Sequence, residues 1–570
     1  MSLCTSRYLT SSKSTKSEST NMKPISKVSK TALMAVLLLV KMGASAVCSA
    51  AAPESIYRGY VSGGLESGTN WYNKDIGTSA TVPDGHFGSN NYLKVDYHSN
   101  KLSAGLQMEA YAPVQVGFPS NLKGAALTNY YLDWRDESFN LTAGTFYDQF
   151  GSGLLFRSWE DRALGHNNAL TGVRVGYNYR NILSIKGLWG MPRFGMKYSE
   201  TQVKGADMSF AISNLIGWER TWLSVEGSVL DRYEALVDDM IIDGCKPNTT
   251  GWSARVNIES SGFFLRTEYV DAGQKYLYNT SYTGIGEMYH RKRGNAQLIE
   301  TGYNRRGLGV NVNLRRLEWM GSKVVNESSS SVNMLNYVPA LCTQYTYMLT
   351  TLHPYGARTG DMMTGFVNSG EIGGQIDVFY NFRRGSKLGG KRGMKIHGNI
   401  ATYHTIAKEG GFTPGNLLFR DMSIDLEKQW SRKFKSTVLW SMQEYSPKYG
   451  ANKTTYLSNI MVADLLYKYT DTFSTRLELQ YLITHEDQKD WMAALLEVSL
   501  APHWSFYVSD MYNHGMSKVH YYNGGISYVR SRTRLAVGYG RYRSGYICSG
   551  GVCRPIPAYT GASFTLTTSF

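Results

Sequence analysis

The sequence predicts an all-β protein, a transmembrane antiparallel β-barrel of about 24 strands with short periplasmic turns and long extracellular loops. Three observations support this prediction. Segments of roughly ten residues alternate between apolar and polar side chains. Short turns and long polar loops join these segments alternately. The chain also ends on an alternating segment, "TGASFTLTTSF", whose last residue is the aromatic Phe570.

The alternation has a period of two, as expected for strands whose two faces meet different surroundings. In "TGVRVGYNY", Val173 and Val175 lie on one face, and Arg174 and Asn178 lie on the other. The same pattern recurs in "WSARVNIE", "LGVNVNLRR" and "TRLELQY". Since the second face carries charge and glycine repeatedly, we expect it to line a wet lumen while the first face contacts lipid.

The connections between these segments also alternate in length. The short ones include "SNK", "RDE", "RN", "SSG", "RRG" and "SR", and the long ones include "SPKYGANKTT", "AKEGGFTPGN" and "RSGYICSGGVCRPIP". A membrane barrel must close because lipid cannot satisfy the hydrogen bonds of an open sheet edge. An even number of strands places both chain ends on the periplasmic side.

The start of the chain predicts export. Lysines precede an apolar run over residues 32–40, and small residues follow, which is the plan of a signal peptide. We therefore expect residues 1–50 to be a leader that is cleaved, with Met22 as the true start, and residues 51–570 to form a single outer-membrane barrel. Cys48 would permit a lipoprotein anchor instead, but a bulky residue precedes it where a small one is usual.

Four cysteines lie beyond the leader, and in an exported protein they indicate disulfides rather than metal ligands. Cys548 and Cys553 flank two glycines in "YICSGGVCRP", which can turn the chain so that the sulfurs meet. Cys245 and Cys342 lie in two long loops that should share the extracellular side. For this second pair two alternatives remain open, a bridge or two unpaired thiols.

Charged residues recur on the predicted inner faces, where cations can form a ladder for anions. The alternative is that each cation pairs with a neighbouring carboxylate and keeps the interior wet. The predicted lumen residues are Arg174, Lys186, Arg255, Glu259, Arg266, Glu268, Arg315 and Arg476.

The loop over residues 148–168, "DQFGSGLLFRSWEDRALGHNN", is unusually apolar for a loop that faces water. We expect it to fold inward and to narrow the barrel as a constriction loop, with its charges paired to one another or to lumen residues. The alternative is a loop that lies over the mouth and serves packing only. The predicted constriction residues are Phe150, Arg157, Trp159, Glu160, Asp161 and Arg162.

The segment "YDQFGSGLLFRSWEDRALGHNNALTGVRV", together with the signal peptide and the terminal aromatic residue, resembles an uncharacterised domain family of Bacteroidetes-type outer-membrane proteins. This resemblance implies the barrel and its location in the outer membrane, and it implies no activity. The end of the chain also resembles the signature by which such barrels are handed to their assembly machinery, so Phe570 is the expected contact with that machinery.

These features predict a porin-like or passive transport channel. The alternative is a structural or partner-binding barrel of a secretion or surface-assembly complex, with a protein partner at the extracellular loops. The sequence contains none of the common metal, phosphate or nucleophile motifs, so we expect no enzyme, no cofactor and no metal. The basic residues are dispersed along the chain, so no nucleic-acid partner is expected.

Overall fold

The computed structural model describes residues 59–236, 238–279, 288–324, 334–363, 366–549 and 552–570. The predicted leader over residues 1–50, with its start at Met22, lies outside the described residues. The chain divides into two units, of which Tyr57–Ser569 contains the barrel described below.

Twenty-four long antiparallel strands form one closed barrel, as the alternating segments predict. Every strand pairs with its neighbours in the sequence, and β1 also pairs with β24, which closes the sheet. The strands are β1 (Tyr60–Asn73), β2 (Phe87–His98), β3 (Leu102–Tyr111), β4 (Gly124–Arg135), β5 (Phe139–Phe146), β6 (Leu170–Tyr179), β7 (Leu183–Phe194), β8 (Gln202–Ala211), β9 (Thr221–Tyr233), β10 (Asn248–Ser260), β11 (Phe263–Tyr278), β12 (Tyr289–Arg305), β13 (Leu308–Glu318), β14 (Gly370–Phe382), β15 (Met394–Ile406), β16 (Pro414–Gln429), β17 (Phe434–Tyr445), β18 (Tyr456–Lys468), β19 (Phe473–Ile483), β20 (Trp491–Leu500), β21 (Trp504–Tyr512), β22 (Asn523–Arg530), β23 (Thr533–Tyr542) and β24 (Tyr559–Ser569).

The two ends of the barrel differ in their connections. Most turns at one end, here called the short-turn end, are brief. β1 begins at this end and β24 ends there. The opposite end, here called the long-loop end, carries the loops 147–169 and 319–369. The loops also contain a few small elements: α1 (Ile212–Ile216), α2 (Asp238–Ile242), a 3-10 turn at Ser120–Leu122, the strand Lys197–Tyr198 beside β7, and the hairpins Gln149–Phe150/Phe156–Arg157, Glu160–Asp161/His166–Asn167, Asp361–Met363/Phe366–Asn368 and Gly545–Ser549/Val552–Ile556. Within the described residues, no helix has the length and apolar character needed to cross a membrane.

The outer surface of the barrel is apolar. Each of the barrel strands exposes at least one large apolar side chain, and in β6 Val173 and Val175 point outward while Arg174 points inward. Such a surface suits hydrocarbon rather than water. Exposed aromatic side chains occur towards both ends of this surface, as in the girdles of membrane barrels; they include Tyr177, Tyr179, Trp189, Tyr269, Tyr481 and Tyr539.

Candidate functional site

The loop 147–169 enters the lumen and packs against the inner wall. Its side chains Phe150, Leu154, Leu155 and Phe156 are at most 5% exposed and form one apolar cluster with the wall. Burial of each such side chain contributes about 1.5–3 kcal/mol relative to exposure. The cluster's inward-facing wall residues lie on strands from β5 to β13 and include Leu188, Val203, Leu230, Val270, Leu298 and Leu317.

The predicted lumen cations hold the start of this loop. The Asp148 carboxylate lies 2.6 Å from Lys186 Nζ and 3.5 Å from the Arg174 guanidinium. Further along the loop, the backbone N–H of Ser152 donates to Glu268 at 3.2 Å. Arg255 lies 3.9 Å from that same Glu268 carboxylate. Arg174, Lys186 and Glu268 therefore bind the loop to the wall instead of facing an open pore.

The charged half of the loop is paired as well. Arg162 lies 2.7 Å from Glu66 of β1 and 3.5 Å from Glu160. The Arg157 guanidinium stacks 3.9 Å from the centroid of the Tyr337 ring, which belongs to the loop 319–369. Asp161 accepts a hydrogen bond from a backbone N–H within its own loop. The two long loops therefore contact each other inside the barrel.

Trp159 and His166 form the core of this half of the loop. Trp159 is 8% exposed, and the centroids of its ring and the His166 ring are 4.3 Å apart. Desolvation lowers the pKa of His166 to about 3. In the other long loop, desolvation lowers the pKa of His353 to about 4, although Asp487 partly offsets this effect. Both imidazoles are therefore neutral at neutral pH and add no charge to the lumen.

The loop 319–369 extends across the lumen to a different part of the wall. Met320 and Leu335 join the apolar cluster of the first loop. Further along, the Tyr355 ring stacks on Tyr403 of β15 and Phe419 of β16, with centroids 5.3 and 4.7 Å apart. Leu349 and Leu352 pack in another cluster against inward residues of β17 to β21, which include Leu439, Ile460, Leu482 and Trp491.

A buried ion pair anchors both halves of this loop. Arg315 of β13 and Glu371 of β14 approach to 2.6 Å, and their side chains are 1% and 0% exposed. Arg315 also donates to the carbonyl of Pro339, and Glu371 accepts from the Tyr355 hydroxyl and from the backbone N–H of Arg358 at 2.7 Å. We call this arrangement the Arg315–Glu371 anchor. It links the two strands from which the loop leaves and returns.

A second polar anchor lies on the neighbouring wall strands β14 to β16. His397 of β15 sits between Asp377 and Asp425, at 2.6 and 2.7 Å. The Tyr345 hydroxyl of the loop donates to Asp425 at 2.7 Å. Nearby, the backbone N–H of Leu349 donates to Gln480 at 2.8 Å. Polar wall residues therefore fix this loop in the same way as they fix the first.

The remaining predicted lumen residues also pair with neighbours. Arg266 lies 2.6 Å from Glu259, and both side chains are about half exposed near the short-turn end. Arg476 lies 2.9 Å from Asp464 and 2.8 Å from Glu478. These contacts match the alternative of local charge pairs more closely than a ladder of free cations.

The cysteines that the structure describes divide into one bonded pair and two free thiols. Cys548 and Cys553 form a disulfide across the hairpin of the loop 543–558, and the nearby Ile547 packs against Trp159. The bridge between Cys245 and Cys342 is not formed. Cys245 packs beside α2 with Tyr276, while Cys342 lies in the loop 319–369, in the cluster of Tyr355 and Tyr403. Their separate clusters keep the two sulfurs apart.

A cavity of about 650 Å³ lies beneath the first loop. It reaches from Glu160 and Arg162 of that loop, along the inner faces of β2 to β6, to Lys101 and Arg135 at the short-turn end. Its lining mixes charged, hydroxyl and aromatic groups. Among the described residues, no group of three or more His, Cys, Asp or Glu side chains is arranged to hold a metal ion.

A single added methyl group tests the packing of the first loop. An alanine Cβ at Gly205 would lie 2.6 Å from the buried Phe150 ring, so we expect Gly205→Ala to cost about 1–3 kcal/mol and to expose the loop to protease. Gly187→Ala is the matched control, because a Cβ there meets no atom within 4 Å. Equal unfolding free energies and equal cleavage for the two variants would contradict the observed packing.

Several solved structures are similar to this chain at low sequence identity. The siderophore receptor PirA from Pseudomonas aeruginosa is 10% identical, with 90% of this chain and 80% of that chain covered and a TM-score of 0.41. The P pilus usher (PapC) translocation pore is 8% identical, with 90% and 99% covered and a TM-score of 0.42. The copper transporter OprC is 9% identical, with 91% and 82% covered and a TM-score of 0.39.

No curated protein matches the chain in sequence. A family model does match, and it covers nearly the whole chain, including every barrel strand and both inserted loops. On this match over residues 28–570, the protein belongs to the family of unknown function DUF6029.

Proposed function

We propose that the protein is an outer-membrane channel that its own long loops hold closed. The observation that carries this proposal is the insertion of the loops 147–169 and 319–369 into the lumen, where they contact inner-wall residues on strands from β5 to β21. Barrels of this many strands enclose a lumen wide enough to need a plug. Here, loops from the long-loop end fill that role.

In this proposal the long-loop end faces the cell exterior and the short-turn end faces the periplasm. The leader over residues 1–50 is removed on export, and Phe570 meets the barrel-assembly machinery. Solute enters when the loop 319–369 leaves the wall, and it then passes along the polar cavity beneath the first loop. The polar contacts between loop and wall are hydrogen bonds and ion pairs, which water can replace when the loops move.

Recordings in a planar bilayer test the proposal. We expect the purified barrel to conduct weakly and briefly at low voltage, with longer openings when urea or voltage loosens the loops. A barrel that is silent under all these conditions, yet copurifies with one stable partner, would instead favour the alternative of a structural or partner-binding barrel. The exposed Ile241 and Ile242 of α2, at the long-loop end, are the observation that favours such a partner.

Removal of part of the first loop is a more specific test. We expect deletion of residues 151–164 to raise conductance and to change ion preference, because Glu160 and Arg162 line the cavity. Arg162→Gln in the intact loop is the matched control and should change ion preference alone. If the deletion variant still migrates as a folded barrel and conducts like the parent, the first loop is not a constriction.

A further inference from the structure

The two ends of the barrel differ in charge. Across the eleven connections at the short-turn end, the sequence contains twelve Lys or Arg and four Asp or Glu. Across the twelve connections at the long-loop end, the sequence contains fifteen Lys or Arg and seventeen Asp or Glu. Five of the twelve cations at the short-turn end belong to one connection, the turn 383–393 between β14 and β15, which contains no acidic residue.

The turn 383–393 is an ordered structure that presents its cations to the outside. Backbone hydrogen bonds close it, including Gly385 N–H to Gly390 O at 2.7 Å and Gly393 N–H to Gly389 O at 2.8 Å. Its cations are all exposed, and none forms an ion pair with any residue that the structure describes; they are Arg383, Arg384, Lys387, Lys391 and Arg392. Five unpaired cations on a short turn attract anions strongly.

The turn leans towards the lipid side of the rim. Lys428, which shares the outward face of β16 with the exposed Ile424, donates to the carbonyl of Leu388 at 3.0 Å. The same ammonium group lies 4.9 Å from the centroid of the Trp430 ring. Leu388 and Trp430 are each 57% exposed. An aromatic ring and an apolar side chain beside cations are the groups that settle at a headgroup boundary.

We propose that the turn 383–393, with Lys428 and Trp430, binds the anionic headgroups of phospholipids in the leaflet at the short-turn end. The cations pair with the lipid phosphates, and Trp430 and Leu388 enter the boundary between headgroups and acyl chains. The turns on either side add Arg306 and Arg432, so the cationic surface extends along one arc of the rim. The proposal does not depend on whether the barrel conducts.

Lipid retention tests the proposal. The full mature chain is reconstituted in phosphatidylcholine vesicles that contain about one quarter phosphatidylglycerol, extracted in mild detergent, and analysed for bound lipid by mass spectrometry. We expect the parent to retain phosphatidylglycerol at about threefold or more its share in the vesicle. Replacement of the turn's five cations by glutamine should remove this excess, and so should high salt applied to the parent.

The matched control replaces five cations elsewhere on the rim, Arg180, Arg220, Arg530, Arg532 and Arg534, by glutamine, which gives the same net charge. This control should keep the phosphatidylglycerol excess. The proposal is overturned if the parent shows no excess, if the excess resists high salt, if the turn variant keeps the excess, or if both variants lose it equally. The high-salt measurement needs no mutation, so the proposal can be refuted even where a variant fails to fold.

Discussion

Replacement of residues 322–358 by a Gly-Gly linker is expected to raise single-channel conductance by about tenfold or more, because a barrel of this size without its plug encloses a wide aqueous channel. The ends of this segment are already adjacent. The backbone N–H groups of Met320 and Gly321 both point at the carbonyl of Thr359, at 2.6 and 3.2 Å. The deletion therefore removes the crossing of the lumen without straining β13 or β14.

Planar-bilayer recording of the folded variant measures this effect, and heat-modifiable migration on a gel shows that the barrel is closed. Shortening the turn 383–393 by residues 386–391 is the control, because that turn lies outside the lumen at the opposite end. The control should conduct like the parent. A folded loop-deletion variant with parental conductance would show that the first loop alone closes the lumen, or that no pore exists.

Glu371→Gln is expected to destabilise the docked loop by about 3–5 kcal/mol, since it leaves the guanidinium of Arg315 buried without a counter-charge. The change keeps the size of the side chain, so the loss reports charge rather than packing. The same replacement at Glu259, whose partner Arg266 is half exposed, should cost less than about 1 kcal/mol. Denaturant titration gives the two free energies.

Proteolysis of the loop distinguishes loss of the Arg315–Glu371 anchor from a general loss of barrel stability. In Glu371→Gln, protease should cut within residues 334–358 while the barrel strands remain protected. The double variant Arg315→Met, Glu371→Leu removes both charges and should recover most of the lost stability, because no unpaired charge remains. If the single variant is as stable and as protected as Glu259→Gln, the Arg315–Glu371 anchor does not hold the loop.

Alternating side chains were enough to predict the barrel, because the period of a strand is local and each strand has one face towards lipid. The sequence also predicts an inward course for the first loop, because a loop that faces water would leave the apolar side chains of Phe150 and Trp159 exposed. The sequence did not reveal where the second loop docks. Leu349 and Leu482 meet across more than a hundred residues, and no local pattern pairs them.

The anchors were predicted only in part. The alternation predicts an inward position for Arg315 and Arg174, but it does not predict their partners. Glu371 lies at the start of the strand that follows the second loop, and Asp148 lies at the base of the first loop. Glu371 and Lys275 gave no signal beyond being charged residues near strand ends; in the structure Lys275 Nζ donates to the carbonyl of Gly321 at 2.7 Å. Whether Cys245 and Cys342 form a bridge likewise depends on the distance between two loops, which no local sequence pattern gives.

The apolar inner wall has a consequence for exchange between members of the family. Leu188, Leu230 and Leu298 point inward beneath the loops, so those strands are apolar on both faces there. Either face of such a strand could turn towards lipid. The loops fix the orientation, because they cover one apolar face and leave the other for lipid. The sequences of loop and wall therefore have to match each other. A chimera that receives foreign loops without the matching inner wall should misassemble, whereas one that receives both together should fold.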